Sequence, residues 1–209
     1  MKKITKYIPT IILTLLCSCS DYLDIVPDNV TTLDIVFNNR NTAERYLANC
    51  YHFVPDHGSV KRIPGMGAGH ECWFYTTNDS HFDNEVSFYI ARGLQNIDAP
   101  YANYWDGEGG SNLPMFRAIR ECNIFLDYVR DQHKVNDLTD SERKRWIAEV
   151  NVLKAYYHFF LFEHYGPIPI VDKALPVSTD PEGVKVTRMP VDQIVDYMVK
   201  LIDDSYKDL

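Results

Sequence analysis

The 209-residue chain has one apolar run near its start and no second one that approaches a membrane span. Beyond Leu16 nothing nears the roughly 20 apolar residues a spanning helix needs, so these residues hold no helical membrane domain. Positive charge is also scarce. Against 29 Asp and Glu stand 21 Lys and Arg, a formal net charge of −8, and Lys2, Lys3 and Lys6 crowd the first six positions. A nucleic-acid partner needs basic stripes that displace counterions, and none is present. Cysteine is sparse: Cys50, Cys72 and Cys122 are the three beyond position 19, and none falls in a Cys-x-x-Cys spacing. Cys50 and Cys122 lie inside helical patterns and read as small buried hydrophobes.

Catalytic signatures are missing as well. His70-Glu71 has no second histidine four positions after His70, so the zinc-protease motif fails. The run Gly65 to His70 has glycine spacing without the Gly-Lys-Ser/Thr of a phosphate loop, and no Gly-x-Ser-x-Gly elbow occurs. Asp106-Gly107-Glu108-Gly109-Gly110 lacks the alternating ligands of an EF-hand and reads as a solvated turn. Loose acidic pairs do not establish glycosidase chemistry, because the separation that decides it is three-dimensional. The expectation is a binding protein, without a catalytic residue, metal or cofactor.

What is present begins with a leader. Lys2, Lys3 and Lys6 form a basic segment, Ile8 to Leu16 an apolar one too short to cross a bilayer, as a cleaved export signal requires. Leu16-Cys17-Ser18-Cys19 places Leu at −3, a small Ser at −1 and Cys at +1, the pattern of a bacterial lipobox. Residues 1–18 are then the signal peptide, and Cys19 carries the lipid. Each buried methylene contributes about 0.8 kcal/mol, so several acyl chains on one cysteine anchor the chain without a helix. The alternatives are acylation at Cys17, disfavoured by bulky Leu16 at −1, or an ordinary signal with incidental cysteines.

The expected fold is mostly α, with tetratricopeptide-like helical hairpins and a long irregular region facing the ligand. Thr42 begins a first helix in which Ala43, Leu47, Cys50, Tyr51 and Val54 recur at three- and four-residue steps before Pro55 and Gly58. From Asp56 to Gly110 the period fades into glycine, aromatics, Asn and Asp, the mark of a functional rather than a disordered loop. Pro114 suits a first turn, and Phe116, Ile119, Asn123, Leu126 and Val129 form one face of a helix that ends near Asp131. Thr139-Asp140-Ser141-Glu142 is a capping box. It opens a helix about 40 Å long with the stripe Trp146, Val150, Leu153, Tyr157, Phe160, Leu161 and His164. Gly166 closes it in a left-handed conformation, and Pro167 and Pro169 forbid continuation. Across the Lys134 to Leu138 link the two helices form a repeat-type pair. A last helix opens at Pro190 and is expected to bury Val191, Ile194, Met198, Leu201 and Ile202. A repeat unit cannot cover its own apolar face, so the chain reads as residues 19–209 of a longer protein.

Trp73-Phe74-Tyr75 with Asn78, Asp79 and His81 is the candidate ligand site. Sugars offer apolar C–H faces to aromatic rings, and paired hydroxyls to planar amides and carboxylates. The bland alternative makes Trp73 and Phe74 core anchors of a long loop. Tyr101, Tyr104 and Trp105 form a second cluster, expected to pack on the helices.

Three blocks resemble the SusD/RagB family of outer-membrane lipoproteins. The first is Cys19-Ser20-Asp21-Tyr22-Leu23-Asp24 with Pro27, Phe37, Ala43-Glu44, Leu47 and Tyr51. The second is Ala118-Ile119, Cys122-Asn123 and Leu126. The third and most specific is Glu149, Leu153-Lys154-Ala155-Tyr156-Tyr157, Leu161 and Tyr165-Gly166-Pro167-Ile168-Pro169. Two positions depart: Lys154 stands where Arg is usual, weakening any bidentate pairing, and Leu201 replaces a common Asp. The resemblance implies a surface lipoprotein that acts as a hinged lid over a SusC-like TonB-dependent transporter and captures oligosaccharide, polysaccharide or another nutrient. It also supports Trp73, Tyr75, Asn78, Asp79 and His81 as ligand contacts, and Asp21 and Asp24 as part of a surface-export signal. The competing class is an exported tetratricopeptide-like scaffold that binds protein.

Overall fold

Local side-chain chemistry sets where each helix of this chain starts and stops. The computed structural model describes residues 32–59, 63, 65, 67–69, 86–98, 100–107, 113–175 and 185–209. Residues up to Ile35 form one unit and Val36–Leu209 another. In the first, the Ile35 N–H bonds the Thr32 carbonyl at 3.1 Å, which opens a single exposed turn, α1 (Leu33–Val36).

The second unit is built on α2 (Arg40–Tyr51), α3 (Val86–Ala91), α4 (Met115–Arg130), α5 (Asp140–Tyr165) and α6 (Val191–Asp203). No strand occurs among the described residues. Helix α2 starts two residues before the expected Thr42, because the Asn39 side chain accepts the Thr42 N–H at 3.1 Å and caps the helix. Its buried face is Ala43, Leu47 and Cys50, while Tyr51 and Val54, expected in the core, are exposed. The six-residue α3 interrupts a region read as wholly irregular. Gly67 explains its seat: a Cβ there would meet the Ser87 Cβ at 2.8 Å, so only glycine lets the loop approach α3 this closely.

Helix α4 begins after Pro114, which serves as its cap rather than in its first turn, and ends at Asp131 as expected. The Thr139 box is formed in full, with the Glu142 N–H on the Thr139 Oγ1 at 3.3 Å and the Glu142 carboxylate on the Thr139 N–H. Arg143 then locks the α4–α5 turn. Buried beside it, its guanidinium donates to the carbonyls of Val129, Asp131, Lys134 and Val135 at 2.6–3.3 Å. That grip holds Val135 at φ +49°, a left-handed conformation that a β-branched residue rarely takes.

The helices form antiparallel hairpins of tetratricopeptide type. Phe125 meets Trp146 across α4 and α5, and Asn151 donates to the Ser205 hydroxyl while His158 meets Tyr197 across α5 and α6. Helix α2 lies antiparallel to α4 and parallel to α5, as Tyr46–Glu121, Arg40–Glu142 and Tyr157–Cys50 contacts show. One core joins them, and its largest fully buried side chains include Trp146, Tyr104, Tyr157, Phe37 and Phe125. Tyr104 and Trp105 pack on the helices as expected, Trp105 meeting Phe116 and Tyr165.

The last helix departs from expectation. Only Ile194 and Met198 of its apolar stripe are buried; Val191 and Ile202 are each 45 % exposed, and Leu201 is half-buried. Ile202 and Met198, with Val195, Val199 and Phe159, line an apolar groove of about 390 Å³ between α5 and α6, with Ala155 in its wall. His164, expected on the core stripe, is exposed instead at the end of α5.

Gly166 closes α5 at φ +68° and ψ −130°, its N–H on the Phe162 carbonyl. The ψ lies outside the left-handed helical well that was expected, in a region still more restricted to glycine. Nothing lies within 4 Å of where a Cβ would stand, so alanine tests the backbone alone. Gly166→Ala is expected to cost about 1–3 kcal/mol by urea denaturation, and an unchanged midpoint would refute the conformational argument.

Candidate functional site

At the C-terminal end of α5 a pocket of about 470 Å³ opens to solvent. Phe160, Glu163 and His164 come from the helix, His57 from the loop after α2, Ile90 from α3, and Ile63, Gly65, Ala68 and Gly69 from the glycine-rich loop. Its wall is a run of rings. His57 lies 6.1 Å from Phe160, Phe160 lies 4.3 Å from His164, and His164 lies 4.7 Å from buried Tyr104. The His57 Nε2 and the Tyr156 hydroxyl are 2.5 Å apart, and the His164 Nδ1 is 2.7 Å from the Phe160 carbonyl. His164 therefore donates from Nδ1 and keeps Nε2 as an acceptor. The Glu163 carboxylate adds two further acceptor oxygens.

The chemistry is that of a hydrogen-bonding rim over an apolar floor. Phe160 is 1 % exposed, so it supports the floor but offers no open ring face for stacking. A ligand rich in hydroxyls fits such a rim, and a stacking face would have to come from elsewhere. Among the described residues, no group of three His, Cys, Asp or Glu side chains is arranged to hold a metal ion.

None of the residues expected to contact ligand, Trp73, Tyr75, Asn78, Asp79 and His81, nor the lipidation candidate Cys19, lies among the described residues. The chain enters that segment from Gly69 and leaves it into α3, and both flanks line this pocket. Sequence reasoning missed His57, Glu163 and His164. His57 is a loop histidine with no periodicity, and its partners Tyr156 and Phe160 are about a hundred positions away, so no local pattern announces the pocket.

A second polar cluster sits between α5, α6 and the segment after Gly166. The Lys154 Nζ, 1 % exposed, donates to the Asp172 carboxylate at 2.8 Å and to its carbonyl at 3.0 Å. Tyr197 donates to the same carboxylate oxygen at 2.9 Å. Burial pulls the Lys154 ammonium below its ordinary value, against the pull of Asp172. Burial would raise the Asp172 carboxyl, yet the Lys154 and Tyr197 hydrogen bonds hold it below the usual range. Lysine thus makes a point contact with one carboxylate oxygen and a carbonyl where arginine would form a fork.

A family described as starch-binding and associating with the outer membrane matches residues 21–207. The chain belongs to the SusD-like family. No curated protein matches the sequence. A laminarin-binding SusD-like protein superimposes with a TM-score of 0.62 at 17% identity, over 83% of this chain and 35% of its own. A SusD-like protein from Bacteroides fragilis NCTC 9343 gives 0.60 at 15% identity, over 85% and 31%. A SusD-like carbohydrate-binding protein from Bacteroides vulgatus ATCC 8482 gives 0.52 at 14% identity, over 83% and 36%. At such identities the likeness is one of fold. The chain spans about a third of the length of these structures. Among its described residues no helix is long and apolar enough to cross a membrane.

Proposed function

We propose that this SusD-like chain is the N-terminal part, residues 19–209 after an 18-residue signal peptide, of a cell-surface glycan-binding lipoprotein. It acts as capture subunit and lid of a SusC-like TonB-dependent transporter. The observation that carries this is the family match across residues 21–207. Carbohydrate recognition needs open aromatic faces beside planar hydrogen-bonding groups. Trp73 and Tyr75 supply the faces in this reading, Asn78, Asp79 and His81 the polar partners, and His57, Glu163 and His164 a further hydrogen-bonding rim. The protein binds and hands over its ligand without breaking bonds.

Affinity electrophoresis of the full-length protein in gels with laminarin or starch tests the reading. Those two probes follow from what the similar structure binds and what the family is described as binding. Trp73→Ala is expected to weaken retardation by the bound polysaccharide about tenfold, as loss of a stacked aromatic usually does. Asn78→Ala should weaken it less, since water replaces part of its hydrogen bonding. Unaltered binding in the Trp73→Ala variant would reduce that ring to a loop anchor. Release of reducing sugar by the purified protein would overturn the non-enzyme reading.

Lipidation is tested separately. Cys19→Ala is expected to abolish labelling by radioactive palmitate and retention in outer-membrane fractions. Unchanged labelling would move acylation to Cys17 or dismiss it.

The α5–α6 groove favours the second reading, a helical scaffold for protein. A protein that binds no polysaccharide in those gels, yet stays surface-anchored, would support it.

A further inference from the structure

Cys50 and Cys122 belong to different helices, α2 and α4, and both are buried in the one core those helices share. The buried faces are Ala43, Leu47 and Cys50 on α2, and Ala118, Ile119, Cys122 and Phe125 on α4. Two contacts fix their relative direction. Phe37, just before α2, stacks on Tyr128 with ring centroids 4.5 Å apart, and the Tyr46 hydroxyl donates to Glu121 at 2.5 Å. The helices therefore run antiparallel, and the Tyr46 ring on Phe125, centroids 6.4 Å apart, brings Cys50, one turn beyond Tyr46, level with Cys122, one turn before Phe125. Alanines 43 and 118 on the facing surfaces allow close approach. The Cys50 side chain is the leading influence on the Cys122 thiol, both residues are 0 % exposed, and each is a free thiol in this structure.

We propose that Cys50 and Cys122 are a disulfide-forming pair that staples α2 to α4. The oxidising compartment it needs rests on the export reading above. In the step itself one cysteine thiolate attacks the disulfide of an oxidant, a dithiol oxidoreductase or a small disulfide such as oxidised glutathione. A mixed disulfide forms, and one oxidant thiol leaves. The second thiolate then displaces the remaining oxidant sulfur. Two cysteines lose two protons and two electrons, and the oxidant's disulfide becomes two thiols. Because neither residue has any exposed surface, the attack must precede the docking of α2 on α4. Once folded, the pair is shielded from reductant, and the neighbouring Cys50 thiol, then burial, raise the Cys122 thiol well above its ordinary value, so a reduced pair stays inert. Cys72 is left as the odd thiol.

The full chain, refolded from denaturant in a glutathione redox buffer, is alkylated in denaturant, digested and mapped by mass spectrometry. The expected result is a linked pair of peptides holding Cys50 and Cys122, absent from Cys50→Ser and Cys122→Ser. The linked form should unfold at higher urea than the same protein after reduction. Alkylation of both cysteines, or linkage of either one to Cys72, would overturn the proposal. Protein alkylated during isolation from cell envelopes reports on export separately. A pair that links on refolding but is reduced in the envelope would refute the oxidising compartment and leave the pairing intact.

Discussion

Asp172→Ala is expected to destabilise the protein by about 3 kcal/mol, while Lys154→Met changes stability by less than about 1 kcal/mol. The two side chains form one ion pair, yet they are not buried alike: the Lys154 side chain is 2 % exposed and that of Asp172 64 %. Removing Asp172 strands an ammonium in the core with one backbone carbonyl and the Tyr197 ring, 5.8 Å away, as its remaining partners. A stranded charge costs its desolvation, and Lys154 must either bear that cost or lose its proton. Removing Lys154 strands nothing. The carboxylate of Asp172 keeps water on its exposed side and the Tyr197 hydroxyl on one oxygen, and methionine fills most of the lysine stem's volume with an unbranched apolar chain. Urea denaturation of both variants at neutral pH decides the matter. Equal losses would show that attraction within the pair, rather than the cost of an unpaired buried charge, governs this contact.

The parts of the fold legible in the sequence are those whose cause is local. The start of α5 depends on Thr139 and Glu142, three positions apart, and its end on Gly166 followed by prolines, so both read directly. Helix α2 was harder because two residues near its start have capping side chains. Thr42 resembles a cap, but Asn39 accepts its N–H and moves the start back. At six residues, α3 is too short to show a 3.6-residue period, and its position depends on Gly67 lying against Ser87, a contact from outside the helix. The stripe of α6 was read correctly as apolar. Periodicity says which face avoids water but not what covers it, and Val195, Val199 and Ile202 are left open. The pocket was illegible for a related reason: His57 reaches Tyr156 and Phe160 only through the tertiary fold. Trp73, Tyr75, Asn78, Asp79 and His81 rest on side-chain chemistry and family resemblance.

Acid is expected to weaken this protein through His158. The residue is 0 % exposed, and its ring meets the Tyr197 ring edge-on, centroids 5.2 Å apart. Its Nδ1 sits 2.7 Å from the Lys154 carbonyl, so Nδ1 carries the donated proton. Its Nε2 is buried without a hydrogen-bond partner among the described residues. A second proton would place an unsolvated charge on Nε2, with the Lys154 ammonium nearby. Burial is the larger cause and lowers the imidazole to about 4; the Lys154 carbonyl and the Asp172 carboxylate offset it only in part. In the unfolded chain the same imidazole titrates near 6.5. The unfolded state therefore binds the extra proton first as pH falls. The stabilisation from a neutral His158 is complete above about pH 6.5, declines as pH drops, and is gone below about pH 4. Its full size is about 3 kcal/mol, from some 2.5 pH units at 1.36 kcal/mol each. Other groups titrate over the same range, so the comparison is with His158→Phe, which keeps the ring and cannot take a proton. Urea midpoints of parent and variant are measured from pH 7.5 down to 4. The parent should lose stability more steeply, with the gap opening between pH 6.5 and 4. Parallel profiles, or an NMR titration of His158 with a midpoint above 6, would show that the ring takes its second proton without leaving the fold.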